Sequence, residues 1–200
     1  MAAPCSTITR MILSLFPVIL TGITVMLFVK LPILDRLKRP MDRGLILRDG
    51  KRLFGDHKTW KGFLAYPFFA AIWTILLGFL AAGLPRVEAM NYLYVRHENR
   101  PLYNLCVGLL LGFAYALFEL PNSFIKRRLA IDEGKMATGP LRPLFIFIDQ
   151  ADSVIGCVLV LALVYPMSPT FILAYILLGA GLHILLNYLL ALVGLRKERR

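Results

Sequence analysis

The chain has 200 residues, 58% of them apolar and only 18% charged, with a formal net charge of +11 and a mean hydropathy of +0.68. A soluble domain of average composition carries about a quarter charged residues and under half apolar ones, so this chain holds more apolar side chain than one aqueous core absorbs. That excludes an ordinary soluble enzyme. The apolar residues are gathered in blocks as long as a bilayer is thick, and the pattern predicts an all-α polytopic membrane protein, a single domain over residues 1–200.

The first predicted span, at about 11–31, lacks a small-residue cleavage site and runs straight into KLPILDRLKRP, so it reads as a retained helix rather than a signal peptide. The following loop contains DGKRLFGDHKTWKGF, residues 49–63. Asp49-Gly50 and Gly55-Asp56 are turn formers that bracket a basic, aromatic stretch ending in Lys58, Thr59 and Gly62 at the mouth of the second span, at about 63–84. Glycines let backbone N–H groups approach an anion, and Lys58 with Thr59 adds a point charge and a hydroxyl, which is phosphate-binding chemistry. The segment is not a Walker loop, because Asp56 stands where that motif needs Lys. On spacing alone a basic membrane-surface turn fits equally well.

The loop at 85–101 carries Arg86, Glu88, Arg96, His97 and Glu98 in no motif and reads as a solvated connector to the third span, at about 102–120. Pro121 is expected to end that span, leaving Asn122 or Ser123 to cap a short helix that carries Lys126, Arg127 and Arg128. A helix N-terminus followed one turn later by cations is a place where a phosphate is held, although such clusters also serve simply to stop membrane transfer.

The fourth span, at about 144–166, is interrupted by Asp149, Gln150 and Asp152. An i, i+3 spacing puts both carboxylates on one helix face, about 7.5 Å inside its end. Two like charges in that setting need a cation, either a loop Lys or Arg or a hard divalent metal such as Mg²⁺ that takes carboxylate oxygens together with substrate phosphates. A proton relay or an interhelical salt bridge are the structural alternatives. Residues 166–169 are expected to turn into the fifth span, at about 170–194, where His183 and Asn187 are expected to hydrogen-bond a neighbouring helix too deep for a phosphate site. Cys5, Cys106 and Cys157 have no paired spacing, and the last two read as small buried side chains.

Lys and Arg are distributed asymmetrically. Ten lie in residues 30–62, five in 121–143 and four in 195–200, against Arg10, Arg86, Arg96 and Arg100 on the other face. The positive-inside rule then puts the N-terminus outside and the C-terminus in the cytosol of a multi-pass cytoplasmic-membrane protein, with the polar loops cytosolic. Part of the charge, including the tail RKERR, is accounted for by attraction to anionic headgroups alone.

The motifs together resemble those of the phosphatidate cytidylyltransferases, and most closely the short CDP-archaeol synthase branch. KTWKG at 58–62 is similar to its lysine-threonine-x-x-glycine element, and Ser123-x-Ile125-Lys126-Arg127 followed by Asp149-Gln-Ala-Asp152 to its S-x-[apolar]-K-R … D-x-x-D signature. Five spans in some 200 residues also fit that branch. The larger bacterial enzymes differ, with Glu where this chain has Lys61 and with K-D and H-G-G elements absent from LAIDEGKMATGPLRPLFIFI. The resemblance implies an enzyme that converts CTP and a lipid phosphate, archaeol-type or phosphatidate, into a CDP-lipid and pyrophosphate with Mg²⁺ as cofactor. It implies that Asp149 and Asp152 hold the metal, that Lys126 and Arg127 neutralise phosphates, and that Lys58 and Thr59 bind a phosphate from the other loop. Asp49, Gly55, Gly62, Ser123 and Arg128 complete the expected substrate-binding set, with Asp56 and Glu119 as further acidic partners. The bilayer is an expected partner, nucleic acid is not, and a homodimer is left open. Two rivals stand beside this reading. A small ion-coupled carrier would use Asp149 and Asp152 for its ion, and a CDP-alcohol phosphotransferase would need a D-G-x-x-A-R signature that the chain lacks.

Overall fold

The structure, a computed structural model, describes residues 6–192 and Gly194; Cys5 and the basic tail at 196–200 lie outside the described residues. Six α-helices follow one another: α1 (Thr7–Phe28), α2 (Trp60–Ala82), the short α3 (Pro85–Met90), α4 (Pro101–Arg128), α5 (Arg142–Val164) and α6 (Pro169–Leu192). All but α3 are long and apolar enough to cross a membrane, and the chain is a multi-pass membrane protein.

The helix starts follow local chemistry. Ser6 caps α1 by accepting from Thr9 N at 3.2 Å, and Thr59 caps α2 by accepting from Gly62 N at 3.2 Å. Pro101 stands at the first position of α4, where its missing N–H costs nothing. Ser168, in the expected turn after α5, caps α6 through Phe171 N. The caps move α1 and α2 a few residues toward the N-terminus relative to the spans read from hydropathy, which does not register a polar cap.

The largest departure is α4. It runs unbroken through Pro121 to Arg128, so Asn122 and Ser123 lie inside the helix and cap nothing, and Lys126, Arg127 and Arg128 occupy its last turn rather than the turn after an N-terminus. Cations in a last turn complement the helix dipole. Packing against α2 on one side and α5 on the other outweighs the loss of one backbone bond at the proline. Past Arg128, Ala130 turns left-handed at φ 57°, and the Ile131 and Ala130 amides return to Lys126 O and Arg127 O, closing a Schellman motif.

The end of the bundle opposite the basic loops is also more ordered than a solvated connector. Tyr92 and Leu93 are buried, Tyr92 N donates to Ser14 Oγ at 2.8 Å, Arg10 Nε donates to Met90 O at 3.2 Å, and the Tyr103 hydroxyl donates to Leu93 O at 2.7 Å. These polar bonds fasten the segment to α1 and α4, and its aromatic rings join a core built around Leu15, Leu111, Val158, Leu161 and Tyr175. Cys157 belongs to that core, whereas Cys106 is exposed on the outer face of α4, contrary to the expectation for both.

Helix contact in the bundle is set by glycine. A Cβ on Gly108 would stand 2.6 Å from Ala71 Cα and one on Gly112 2.3 Å from Tyr66 O, so α4 meets α2 backbone to backbone. Gly156 does the same for α5, where a Cβ would meet Ala114 O at 2.7 Å. Of the pair Gly179 and Gly181 noted from sequence, Gly179 packs closely on Val154 and Gly181 faces open space.

Candidate functional site

Residues 29–59 fold into a compact cap over the basic end of the bundle. Its core is a tight turn in which Leu53 N donates to Leu45 O and Leu47 N to Lys51 O, reversing at Asp49-Gly50 with Gly50 at φ 74°. Asp42, which drew no attention in the sequence, organises it. Its side chain is fully buried; it pairs with Arg52 Nη2 at 2.7 Å and accepts from the amides of Gly44, Phe54 and Gly55, each at 3.0 Å. Burial alone would raise the carboxyl, but the Arg52 guanidinium and the three amides outweigh it and hold the group well below the usual carboxylate range. The D-x-G spacing of an Asx turn was the available signal.

This cap is tied to the end of α4. Lys51 Nζ donates to Arg128 O at 2.6 Å, Arg128 donates to Arg52 O, and Arg128 Nε lies 3.2 Å from Asp49 Oδ2. Asp49 and Arg128 therefore meet each other and fasten the cap. Gly55 sits at φ 106° against the α4–α5 connection, where a Cβ would stand 2.3 Å from Glu133 Oε1, and the neighbouring Asp56 amide donates to Glu133 Oε2 at 2.6 Å. The positive φ calls for glycine there, and any Cβ would also push the Glu133 side chain aside. Asp56 also pairs with Arg52 at 2.9 Å.

The KTWKG element divides three ways. Lys58 reaches Glu119 on α4 in a half-buried ion pair. Thr59 spends its hydroxyl on the α2 cap, with Gly62 as the capped amide. Lys61, fully buried, turns away from the carboxylates to donate to Leu31 O at 2.6 Å, with Asp35 at 3.5 Å, and so holds the path of the chain out of α1.

The acidic pair of α5 faces α4. Lys126 Nζ lies 2.5 Å from Asp149 Oδ1 and 2.6 Å from Oδ2. One turn earlier, Asn122 Nδ2 donates to Asp149 Oδ1 at 2.8 Å and to Asp152 Oδ2 at 2.7 Å. A single nitrogen thus touches both carboxylates, and their facing oxygens are no farther apart than two hydrogen bonds laid end to end. Lys58 and Glu119 are close enough to act electrostatically on Asp152. Ser123 Oγ bonds back to Glu119 O at 3.1 Å, and Arg127 keeps a buried Nε–H without a hydrogen-bond partner. The unbroken α4 places Glu119, Asn122 and Lys126 in register, i, i+3 and i+7, along the stripe that meets α5.

Between the two aspartates, Gln150 points to α6. Its Oε1 accepts from Asn187 Nδ2 at 2.5 Å, and its carbonyl accepts from His183 Nδ1 at 3.2 Å. The expectation of interhelical bonding holds. Both residues bond Gln150, which lies between Asp149 and Asp152 in sequence, and so tie α6 to α5 beside the acidic pair.

Glu119, Asn122, Lys126, Asp149, Asp152 and Lys58 thus converge, whereas Asp49, Gly55, Ser123 and Arg128 serve the local structure around them. A sequence profile of the CarS-like family, described as CDP-archaeol synthase, matches residues 8–198. The chain belongs to this family. CDP-archaeol synthases of Aeropyrum pernix, 34% identical over 83% of this chain and 81% of the relative, and of Pyrobaculum islandicum, 31% identical over 82% and 83%, are similar along nearly the same extent. A solved structure of an intramembrane enzyme for archaeal membrane-lipid biosynthesis superposes with a TM-score of 0.58 at 27% identity, covering 91% of this chain and 95% of that one. Membership of the CDP-archaeol synthase family bears out the resemblance read from the loop motifs and the five-span layout, and lends no support to an ion-coupled carrier.

Proposed function

We propose that the chain transfers the cytidylyl group of CTP to an archaeol-type lipid phosphate, giving a CDP-activated lipid and pyrophosphate. A phosphate oxygen of the lipid attacks the α-phosphorus of CTP, the new P–O bond forms as the bond to the bridging oxygen breaks, and that oxygen leaves with pyrophosphate. The nucleophile is already anionic, so the protein's task is positioning and neutralising charge rather than removing a proton.

The observation that carries the proposal is the carboxylate pair of α5 held against a lysine and an amide of α4, beside Lys58 of the basic cap. Asp149 and Asp152 suit Mg²⁺: they offer hard oxygens on one helix face, and the amide that now bridges them leaves its own oxygen, buried and unpartnered, within the same side chain. Mg²⁺ bound there would screen the triphosphate. Lys126 and the open Arg127 donor supply positive charge beside it, for either the triphosphate or the lipid phosphate. Lys58 reaches the same place from the cap, while Arg128 contributes by holding that cap in position. The proposed orientation, N-terminus outside and these loops cytosolic, rests on the nineteen-to-four distribution of basic residues and gives CTP access from the cytosol.

The test is pyrophosphate release from CTP by the purified protein in detergent with Mg²⁺, with an archaeol-type phosphate, with phosphatidate and without lipid. Release dependent on the archaeol-type phosphate is the expected result. Equal use of phosphatidate would overturn the lipid assignment, and no release with either lipid, from protein shown to be folded, would overturn the activity.

A further inference from the structure

Asn122 is the side chain that touches both members of the acidic pair, and it does so with the wrong end for a metal ligand. The residue is only 7% exposed, its Nδ2 donates to Asp149 and Asp152 at 2.8 and 2.7 Å, and its Oδ1 is buried with no hydrogen-bond partner. The two ends of a carboxamide are nearly equal in size, so the choice between them is made by the electrostatics of the neighbours. Two carboxylates only accept hydrogen bonds, so without a cation between them the NH₂ end is the one that fits. Its cost is the stranded oxygen at the other end.

A divalent cation seated on the carboxylates reverses that choice. The positive charge repels the NH₂ end and attracts the carbonyl, and the hard oxygen donors of Asp, Asn and phosphate are those Mg²⁺ prefers. We propose that Asn122 is a third protein ligand of this cation, its amide turning so that Oδ1 replaces Nδ2 toward Asp149 and Asp152. Its NH₂ group and the Lys126 ammonium on Asp149 already bring positive charge to the same carboxylate oxygens. Lys126 is then driven from Asp149 as the cation binds and becomes available to phosphate. This inference rests on Asp149 and Asp152 as the cation site.

The test uses Mn²⁺ as the probe and the full-length protein in detergent, carrying asparagine labelled with ¹³C at the carboxamide. Electron-nuclear double resonance of bound Mn²⁺ is expected to show a directly coordinated carboxamide carbon, and the coupling to vanish in Asn122→Leu while Mn²⁺ affinity falls at least about tenfold, the loss expected for one ligand interaction. Asp152→Asn is the control. Mn²⁺ that Asp152→Asn abolishes, but that shows no carboxamide coupling in the unmutated chain, would overturn the role of Asn122. Undiminished Mn²⁺ binding in Asp152→Asn would overturn the cation site itself. Should Asn122→Leu fail to fold, the coupling in the unmutated chain decides alone.

Discussion

The two ends of the bundle use polar groups in opposite ways. At the end formed by α3 and residues 91–100 the bonds that reach into the bundle come mostly from neutral groups, Ser14 to Tyr92, Tyr103 to Leu93, Asn104 to Asn99, and each fastens one segment to another. At the basic end the groups are mostly charged and packed against one another, and Asn122 Oδ1 and Arg127 Nε are buried there without a hydrogen-bond partner, whereas the neutral end holds one such atom among the described residues, Asn104 Oδ1. Stability alone selects against such atoms. The contrast teaches that the first end spends its polar groups on fastening segments together, whereas the second gathers charge around an amide oxygen and a guanidinium N–H that bond nothing among the described residues.

That contrast breaks most sharply at Asp152. Asp152→Asn is expected to lower CTP turnover at least about 10³-fold, roughly 4 kcal/mol of barrier, while leaving the protein folded in detergent. Normal pyrophosphate release from this variant would place the chemistry elsewhere. Asp42→Asn tests whether the cap is a folded unit in its own right. Removing the buried partner of Arg52 should cost about 3 kcal/mol, read as a lower melting temperature, with activity falling through loss of the cap. The sign with pH follows from the depressed carboxyl: its contribution is complete above the unfolded carboxylate value, about 3.9, and declines as the medium becomes more acidic. In acid, the melting temperatures of the parent and Asp42→Asn should therefore converge.

Lys126→Ala is expected to cost about 2 kcal/mol in CTP or lipid-phosphate use, within the range for hydrogen bonds to charged groups. An unchanged rate would reduce the lysine to a topological signal. The smallest effect belongs to the neutral end. Ser14→Ala removes the hydrogen bond that the Tyr92 N–H donates to the Ser14 hydroxyl and should lower stability by about 1 kcal/mol with kcat unchanged. A loss of activity at constant stability would mean that the two ends are coupled.

The spans were legible because an apolar run of bilayer length has almost no place in a water-soluble fold, and the acidic pair because two carboxylates inside such a run demand a cation. What escaped had contrary local signals. Pro121 announces a helix end, and only the contacts of α4 with α2 and α5 show that the helix continues and that Asn122 faces the aspartates. Residues 85–101 are too short and polar to look buried, yet Tyr92 and Leu93 anchor them. Asp42 and Glu133 stand in ordinary loop sequence, and their importance comes from partners more than ten residues away. Gly108 and Gly112, four residues apart, did carry a readable close-packing spacing.

Those glycines also bear on traffic within the bilayer. Where α4 meets α2 at Gly108 and Gly112 and meets α5 at Gly156, the helices approach too closely to admit a Cβ, and no hydrocarbon tail can slip between. The three helices form a wall that is closed at mid-depth. In the proposed reaction, a lipid bringing its phosphate to Asp149 and Asp152 travels around an edge of that wall, and widening the seam with a bulkier residue would disrupt the fold before it opened a shorter route.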